Sequence, residues 1–370
     1  MSNSNSKVAW VEDILGPDYQ ATTLLVQTRE HAVAEQTDVA HDPADHTLGE
    51  QDCADPHLVE HVTAEQDAAQ HNVAGRQYRA TLVRHRPHEP KPGAGHPRSG
   101  IPVLFIHGWS DYFYNTGLAE FFTDRGYNFY ALDLHNHGRS LDSLEMGGYV
   151  ADLADYDAEI LAAHTVISGG SPLILVGHST GGLIATLWAH HHPGLVSHLV
   201  LNSPWLEIQG GAAIRRAATP LVQLADLRPL LRMRVPERSF YWRGISNQAY
   251  GEWPVDTALR PPHAFPVRAG WMKAILAAQQ EVATGLRLPM PILVLLSSKS
   301  MLGPVWNDQM LHADVVLDVR SLALRTLSLG NSVTLERIDG ALHEVFLSRR
   351  SVREDAYAKL ARWLRGYVAM

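Results

Sequence analysis

The chain has 370 residues and one cysteine, and its 45% hydrophobic and 19% charged residues are typical of a globular protein. The formal net charge of −8 is misleading, because 11 acidic residues and no Lys or Arg lie between positions 30 and 75, which leaves +3 for the rest. The charge therefore gives no case for a nucleic-acid partner, and the absence of an apolar run of about 18 residues excludes a transmembrane helix.

The N-terminal region, residues 1–29, is predicted to supply a first strand to the core at 21–27, and a second strand is predicted at 79–86. Between them, residues 30–76 contain no aromatic side chain and are rich in His, Gln, Ala and Asp. Such a segment buries too little apolar surface to offset the entropy of ordering, so we expect a disordered or weakly helical insertion. Its six histidines show no tight metal-ligand spacing.

The cellular compartment is predicted from the cysteine and from the start of the chain. Residues 1–7 are polar and no hydrophobic leader follows them, so no signal peptide is expected. The single cysteine, Cys53, excludes an intrachain disulfide and fits a reducing compartment. We therefore expect a cytoplasmic protein.

From residue 101 onwards, short apolar strands alternate with amphipathic helices. The predicted strands are 101–106, 127–134, 172–176, 196–202, 290–298 and 332–339, and the helices are 116–125, 150–161, 183–188, 318–329 and 352–368. This alternation predicts an α/β fold with a doubly wound, mostly parallel sheet and helices on both faces. Asp111 precedes the helix at 116–125 and is predicted to cap it, with contact to substrate as the alternative.

The alternation of strands and helices stops after residue 205, and residues 206–285 are predicted to form an inserted helical cap. Two helical patches, at 212–231 and 271–283, flank a middle rich in Trp, Tyr and Pro. The core is then divided into a first part at 77–205 and a second part at 286–370. Residues 220–222 are apolar, which is compatible with peripheral contact with lipid but is not evidence for it.

The stretch at 172–182 carries the most information about function. Five apolar residues end at a G-x-S-x-G sequence, and an apolar pattern of helical period follows it. Strand, tight turn and helix in this order are the context of a nucleophile elbow, in which Ser179 stands at the apex with its hydroxyl exposed. Side chains at Gly177 and Gly181 would collide with neighbouring backbone in such a turn.

A serine hydroxyl needs a base to become a nucleophile, and the base is expected after the last strand. His343 lies there, in a loop that contains Gly340. The histidines at 190–192 are weaker candidates, because they occupy the end of a helix, where cationic side chains suit the helix dipole.

These motifs together resemble the α/β-hydrolase superfamily and, within it, the monoacylglycerol lipase and lysophospholipase-like serine hydrolases. The resemblance rests on His107-Gly108-Trp109, on the D-x-x-x-H-G-x-S pattern at 133–140, on 177–181 with His178 beside the serine, and on 340–343. It implies a Ser179–His343 pair and an oxyanion hole formed by the backbone N–H groups of Trp109 and Thr180. It also implies that the cap shapes the acyl pocket.

The acid of the triad is where the sequence departs from that family. The family usually places an aspartate a few residues after the strand that corresponds to 291–296, and this chain has serines and a lysine there. A D-x-x-x-D sequence follows later, which resembles the family's acid motif displaced by an insertion. We predict Asp314 as the acid, with Asp318 as the second candidate and Asp308 as the third.

The sequence therefore predicts a serine hydrolase that cleaves a small carboxylic ester through an acyl-enzyme on Ser179, with no metal or organic cofactor. A thioesterase, an amidase or a C–C hydrolase with the same triad remains an alternative. A non-catalytic protein of this fold that binds a small ligand is a second alternative, which the displaced acid favours. The sequence leaves the acyl chain length, the physiological substrate and the oligomeric state open.

Overall fold

The computed structural model describes residues 8–27, 77–87, 100–208, 225–233 and 239–368. The unit considered below comprises residues 1–26 and 79–370. The predicted insertion at 30–76 and the apolar residues 220–222 lie outside the described residues.

A nine-stranded sheet forms the centre of this unit, in the order β1-β2-β3-β5-β4-β6-β7-β8-β9. The strands β5, β4, β6, β7, β8 and β9 run parallel, whereas β1 pairs antiparallel with β2, and β3 pairs antiparallel with β5. The strands are β1 Val11–Asp13, β2 Gly16–Gln27, β3 Gln77–His85, β4 Pro102–Ile106, β5 Asn128–Asp133, β6 Leu173–His178, β7 Val196–Asn202, β8 Ile292–Ser297 and β9 Val333–Ile338.

The helices of the described residues connect these strands or lie between β7 and β8. They are α1 Thr116–Thr123, α2 Asp157–Ser168, α3 Thr180–His191, α4 Phe240–Ile245, α5 Ala269–Ala283, α6 Val319–Thr326 and α7 Arg350–Tyr367. Short 3-10 turns occur at Gly138–Ser140, Leu153–Tyr156, Asp308–His312 and Val345–Leu347. In the part of the chain that is described, no helix combines the length and the apolar character that crossing a bilayer requires.

The predicted α/β architecture is confirmed, with local differences in the elements. The strand predicted at 21–27 begins already at Gly16, because its first half alternates buried and partly exposed residues rather than showing an apolar run. The helix predicted at 150–161 starts as a 3-10 turn, in which the Asp152 carboxylate accepts a hydrogen bond from the Ala154 N–H at 3.0 Å. The α-helix proper follows from Asp157.

The core lies on both faces of the sheet, as the alternation of side chains along a strand requires. In β4, Leu104 and Ile106 face one hydrophobic cluster, while Val103 and Phe105 face the other. All four side chains are buried. Strands buried on both faces produce the short continuous apolar runs seen in the sequence.

The strand order reverses beside β4, which has β5 on one side and β6 on the other. Crevices outside the carboxyl ends of parallel strands at such a reversal are the usual ligand sites of open α/β sheets. The segments that follow β4, β6, β8 and β9 all leave the sheet at this edge, and they carry the residues predicted to act in catalysis.

Candidate active site

Ser179 links β6 to α3 in a backbone conformation that side chains rarely adopt, with φ of 54° and ψ of −118°. Such a conformation costs about 1–3 kcal/mol and persists only where the surroundings enforce it. The Ser179 N–H donates to the Asn202 carbonyl at 3.0 Å, and the Ser179 carbonyl accepts from the Trp205 N–H at 2.9 Å. These bonds hold the turn on both sides.

Glycine is required on either side of the serine, as the sequence predicts. A Cβ at Gly177 would lie 2.5 Å from the carbonyl oxygen of Gly181. A Cβ at Gly181 would lie 2.1 Å from the His107 carbonyl oxygen, which belongs to the segment that follows β4. The turn is therefore packed against the neighbouring loop as closely as backbone atoms permit, and any side chain would force them apart.

The Ser179, His343 and Asp314 side chains form one continuous chain of hydrogen-bond contacts. His343 Nε2 lies 2.9 Å from Ser179 Oγ, and His343 Nδ1 lies 2.9 Å from Asp314 Oδ2. His343 is 2% exposed and Asp314 is fully buried. With the Nδ1 proton donated to the carboxylate, Nε2 is left to accept the proton of the serine hydroxyl.

The serine is more covered than an open elbow predicts, since Ser179 is only 9% exposed. The expected exposed hydroxyl is therefore wrong for this conformation of the chain. Tyr241, in α4, contacts the ring of His343 edge to face with centroids 5.3 Å apart. Tyr241 thus lies against His343 and limits the access of solvent to its ring.

Asp314 reaches the site because the segment after β8 returns to the end of that strand. The Asp314 N–H donates to the Lys299 carbonyl at 3.0 Å, and the Met301 N–H donates to the Asp314 carbonyl at 2.7 Å. Its Oδ1 atom accepts from the Val316 and Leu317 N–H groups at 2.7 and 2.8 Å. These bonds fix the carboxylate so that Oδ2 faces the imidazole.

The other two candidate acids lie in different surroundings. Asp318 is the N-cap of α6, where its carboxylate accepts hydrogen bonds from the Arg320 N–H at 3.1 Å and the Ser321 hydroxyl at 2.7 Å. The Ser321 bond lowers the pKa of Asp318, although burial opposes it. Asp308 stands in the first turn of a 3-10 segment. Of the three aspartates, the structure therefore brings Asp314 to the histidine.

The predicted oxyanion donors flank the serine. A Cβ at Gly108 would lie 3.1 Å from the Ser179 Cβ, so the loop that carries Trp109 passes directly beside Ser179. The Trp109 indole is held by a bond from Nε1 to the Gly148 carbonyl at 3.1 Å. Within the described residues, neither the Trp109 nor the Thr180 N–H has an acceptor. Both donors are thus available to a ligand oxygen.

The remaining motif residues brace these loops. His107 is buried, and its Nε2 atom accepts a hydrogen bond from the Leu134 N–H at 3.1 Å, which ties the ends of β4 and β5 together. Asp133 accepts from the Phe113 N–H at 2.8 Å and pairs with Arg139 at 2.7 Å. Arg139 in turn binds Asp13 in a two-bond contact, which the sequence analysis did not find.

The prediction that Asp111 caps the following helix is wrong. Asn115 is the N-cap of α1, and its side chain accepts from the Leu118 N–H at 3.1 Å. Asp111 points elsewhere, with Oδ1 3.2 Å from Arg260 Nε and Oδ2 4.0 Å from His178 Nδ1. Both charged side chains are buried, so the segment around Arg260 is tied to the loop that follows Trp109.

Glu344 is a third buried carboxyl group of this region and directly follows His343 in the chain. The Asn202 side chain donates to its Oε1 atom and accepts from the Val345 N–H at 3.1 Å, so the end of β7 holds the loop that carries His343. Burial raises the pKa of Glu344 to about 8, and the neighbouring Asp111 charge adds to that rise. Glu344 is therefore mostly protonated at neutral pH.

We expect Glu344→Gln to stabilise the chain at alkaline pH. Between pH 4.5 and about 8 the folded chain keeps a proton that the unfolded chain releases, so stability falls as the pH rises through this window. Glutamine keeps the acceptor for Asn202 and carries no charge. Urea unfolding should show a gain on the order of 3 kcal/mol at pH 8.5 and little gain at pH 5.

A control for this experiment is Glu354→Gln on the exposed side of α7. That variant should keep the pH dependence of the wild-type chain. A Glu344→Gln profile parallel to the wild-type profile from pH 5 to 8.5 would contradict the assignment of a raised pKa to Glu344.

Comparison with known proteins adds a family and a fold. A family model described as serine aminopeptidase, S33, matches residues 101–349. The chain is 25% identical to a monoacylglycerol lipase of Mycolicibacterium smegmatis over 255 residues, which are 66% of this chain and 81% of that protein. It is 40% identical to a non-heme chloroperoxidase of Streptomyces lividans over 111 residues, 29% of this chain, and the match spans 38% of that protein.

Solved structures resemble the chain at lower identity. A monoacylglycerol lipase of Paleococcus ferrophilus has a TM-score of 0.54 at 19% identity, with 72% of this chain and 94% of that chain covered. A soluble variant of monoglyceride lipase from Saccharomyces cerevisiae has a TM-score of 0.54 at 16% identity, with coverage of 79% and 93%. At these identities the likeness shows the fold, and it agrees with the α/β-hydrolase prediction.

Proposed function

Because the chain belongs to the serine aminopeptidase S33 family of α/β-hydrolases, we propose that it is a serine hydrolase that cleaves a small carboxylic ester through an acyl-enzyme on Ser179. The observation that carries this proposal is the position of His343, whose two ring nitrogens lie 2.9 Å from Ser179 Oγ and 2.9 Å from Asp314 Oδ2. A nucleophile, a base and an orienting acid in contact are the requirements of acyl transfer.

In the first half of the reaction, Ser179 Oγ attacks the acyl carbon while His343 Nε2 takes the hydroxyl proton. The Asp314 carboxylate keeps the imidazole in the correct tautomer and stabilises the imidazolium that forms. When the tetrahedral intermediate collapses, the bond to the alcohol oxygen breaks and the imidazolium gives its proton to that oxygen. Water then repeats the sequence on the acyl-enzyme and releases the carboxylic acid.

The negative oxygen of the tetrahedral intermediate is stabilised by the N–H groups of Trp109 and Thr180. Thr180 is the first residue of α3, so the positive end of the helix dipole adds to its effect. Loss of one such donor costs about 10²–10³ in rate in enzymes where it has been measured. The fixed Trp109 side chain keeps its backbone N–H beside Ser179 before substrate arrives.

The charges beside the triad favour an ester over an aminopeptide substrate. An aminopeptidase needs a free carboxylate for the α-ammonium group of its substrate. Asp314 orients His343, Asp111 is paired with the Arg260 guanidinium, and burial raises the pKa of Glu344 to about 8. These three carboxyl groups are therefore engaged or uncharged, and the names of the two lipases described above point the same way.

A fluorophosphonate probe tests the proposal directly, because it phosphonylates an activated serine. We expect labelling of the wild-type chain at Ser179, found by peptide mass spectrometry, together with turnover of p-nitrophenyl butyrate. Thioester, anilide and C–C bonded substrates, tested in parallel, identify the leaving group that the enzyme prefers. A folded chain that is neither labelled nor active would favour a protein that binds a small ligand without catalysis.

A further inference from the structure

Buried polar atoms without partners collect beside His343, on the side of the site covered by α4. Within the described residues, no hydrogen-bond partner exists for the hydroxyls of Tyr114 and Tyr241, for His178 Nε2, or for Nη1 of Arg260. The Nε atom of Arg260 forms an ion pair with Asp111 Oδ1 at 3.2 Å. Arg260 is only 5% exposed. An unsatisfied buried polar group costs about 1–3 kcal/mol, so several in one place call for a ligand that satisfies them.

These groups surround the catalytic histidine. The Tyr241 ring lies 5.3 Å from the His343 ring and 6.3 Å from the His178 ring, measured between centroids. The Arg260 Cζ atom lies 4.9 Å from the centroid of the same Tyr241 ring. His178 lies 5.0 Å from His343 and directly precedes the nucleophile. Tyr114 belongs to the buried cluster against which Tyr241 packs. We define Tyr114, His178, Tyr241 and Arg260 as the polar wall of the site.

The wall offers more hydrogen-bond donors than acceptors. The Arg260 guanidinium can only donate, and the two tyrosine hydroxyls remain protonated because burial raises the pKa of both. The matching ligand atom is therefore an oxygen with free lone pairs. An alkyl chain placed against the wall would leave all of these donors unsatisfied.

The charge balance decides between a charged and an uncharged oxygen. Arg260 is already paired with Asp111, at 3.2 Å, so the two charges cancel. Burial lowers the pKa of His178 well below its usual value, so that side chain is neutral. A carboxylate ligand would add a second buried negative charge next to Asp111, and among the described residues of the wall no further cation pairs with it, which is costly in a site of low dielectric constant.

We propose that the polar wall is a specificity site for an uncharged oxygen, such as an ether, hydroxyl or second carbonyl, that the substrate carries close to its scissile ester. The inference rests on the proposed ester hydrolysis and names the substrate class of that site. The oxygen belongs either to the acyl part or to the alcohol part of the ester, and matched substrates separate the two.

The side of the site around Trp109 is more apolar than the polar wall. Trp109 stacks on Trp271 with centroids 4.5 Å apart, and a small cavity next to them exposes mainly apolar surface, with Leu153 and Ile184 in its lining beside the polar residues His107, His137 and Thr180. The site therefore has one apolar side and one polar side. A substrate with hydrogen-bonding oxygen on one part and hydrocarbon on the other matches both.

The test measures kcat/KM for two pairs of esters that differ by one oxygen. In the first pair, p-nitrophenyl methoxyacetate is compared with p-nitrophenyl butyrate, from which it differs by an oxygen in place of one methylene of the acyl part. In the second pair, 2-methoxyethyl butyrate is compared with butyl butyrate, from which it differs by an oxygen in place of the third methylene of the alcohol part. The ratio within a pair, compared between wild type and variant, cancels the intrinsic reactivity of each ester.

Tyr241→Phe and Tyr114→Phe are the decisive variants, because each removes a hydroxyl that has no partner and leaves the ring in place. We expect each to lower the oxygen preference in one of the two pairs by about 3- to 10-fold, the usual worth of one hydrogen bond. Thermal unfolding of both variants should be unchanged or higher, since no hydrogen bond is lost. Arg260→Lys, which keeps the charge opposite Asp111, should lower the same ratio.

Tyr127→Phe is the matched control, since the Tyr127 hydroxyl is also buried and unpaired among the described residues. Its ring packs against Phe122 directly before the amino end of β5, at the edge of the sheet opposite to the site. It should leave both ratios unchanged. If Tyr241→Phe and Tyr114→Phe also leave both ratios within about 2-fold of wild type, the proposal is overturned while ester hydrolysis stands. A wild-type chain that hydrolyses none of the esters would overturn the proposed function itself. A preference for mono-p-nitrophenyl glutarate over p-nitrophenyl pentanoate would overturn the proposal that the recognised oxygen is uncharged.

Discussion

Ser179→Ala is expected to lower kcat/KM for p-nitrophenyl butyrate by at least about 10⁴-fold, the largest effect that any single substitution in this chain should have. Without Oγ there is no atom to form the acyl-enzyme, and His343 loses the hydroxyl that it contacts at 2.9 Å. The residual rate would come from the oxyanion donors and from substrate binding alone. Stopped assays at an enzyme concentration high enough to detect this residual rate measure the loss of kcat/KM.

Ser203→Ala is a matched control for this experiment. Ser203 is also a buried serine with a positive φ, of 44°, and its hydroxyl has no partner among the described residues. Its removal should leave kcat/KM within about 3-fold of wild type, as expected for a side chain outside the reacting atoms. Near wild-type turnover by a correctly folded Ser179→Ala chain, judged by circular dichroism, would remove Ser179 from the mechanism.

Asp314→Asn is expected to lower kcat by about 10³- to 10⁴-fold, with KM changed much less. Asparagine keeps the shape of the side chain, but its amide cannot hold the imidazole in the tautomer that leaves Nε2 free, nor stabilise the imidazolium. The bonds from the Val316 and Leu317 N–H groups require an acceptor, so the amide nitrogen is directed towards His343 Nδ1. Steady-state kinetics on two p-nitrophenyl esters give the effect.

Asp318→Asn and Asp308→Asn separate the triad acid from its sequence neighbours. Asparagine is as good an N-cap as aspartate, so Asp318→Asn should keep α6 and cost less than about 1 kcal/mol of stability. Both variants should retain kcat within about 3-fold of wild type. If Asp318→Asn lost more activity than Asp314→Asn, the acid would have to be reassigned to Asp318.

Local sequence patterns were sufficient for the fold and for the prediction that Ser179 and His343 meet at one edge of the sheet. Strands buried on both faces produce apolar runs, and the alternation of these runs with helices restricts the topology to a parallel sheet. The glycines beside Ser179 follow from contacts with backbone atoms next to the turn and in the adjoining loop. His343 was found because parallel strands bring the residues after their carboxyl ends to one edge of the sheet.

The acid was harder to assign, because its position depends on a loop after β8 that returns to the end of that strand. Residues 298–313 separate Asp314 from the end of β8, so the spacing expected after that strand is lost. Only the pairing of Asp314 with Lys299 and Met301 backbone groups shows that the chain returns to the strand end. Asp318 is also an aspartate and lies only four positions further from β8, but its side chain caps a helix instead.

The sequence by itself determined the α/β-hydrolase architecture and the places of Ser179 and His343, because each depends on periodicity or on residues adjacent in the chain. Only the tertiary structure decided which aspartate meets the imidazole, that Asp111 pairs with Arg260 rather than capping a helix, and that Tyr241 packs against the His343 ring. Those contacts join segments far apart in sequence. They are set by the way loops close over the sheet edge, which no local pattern encodes.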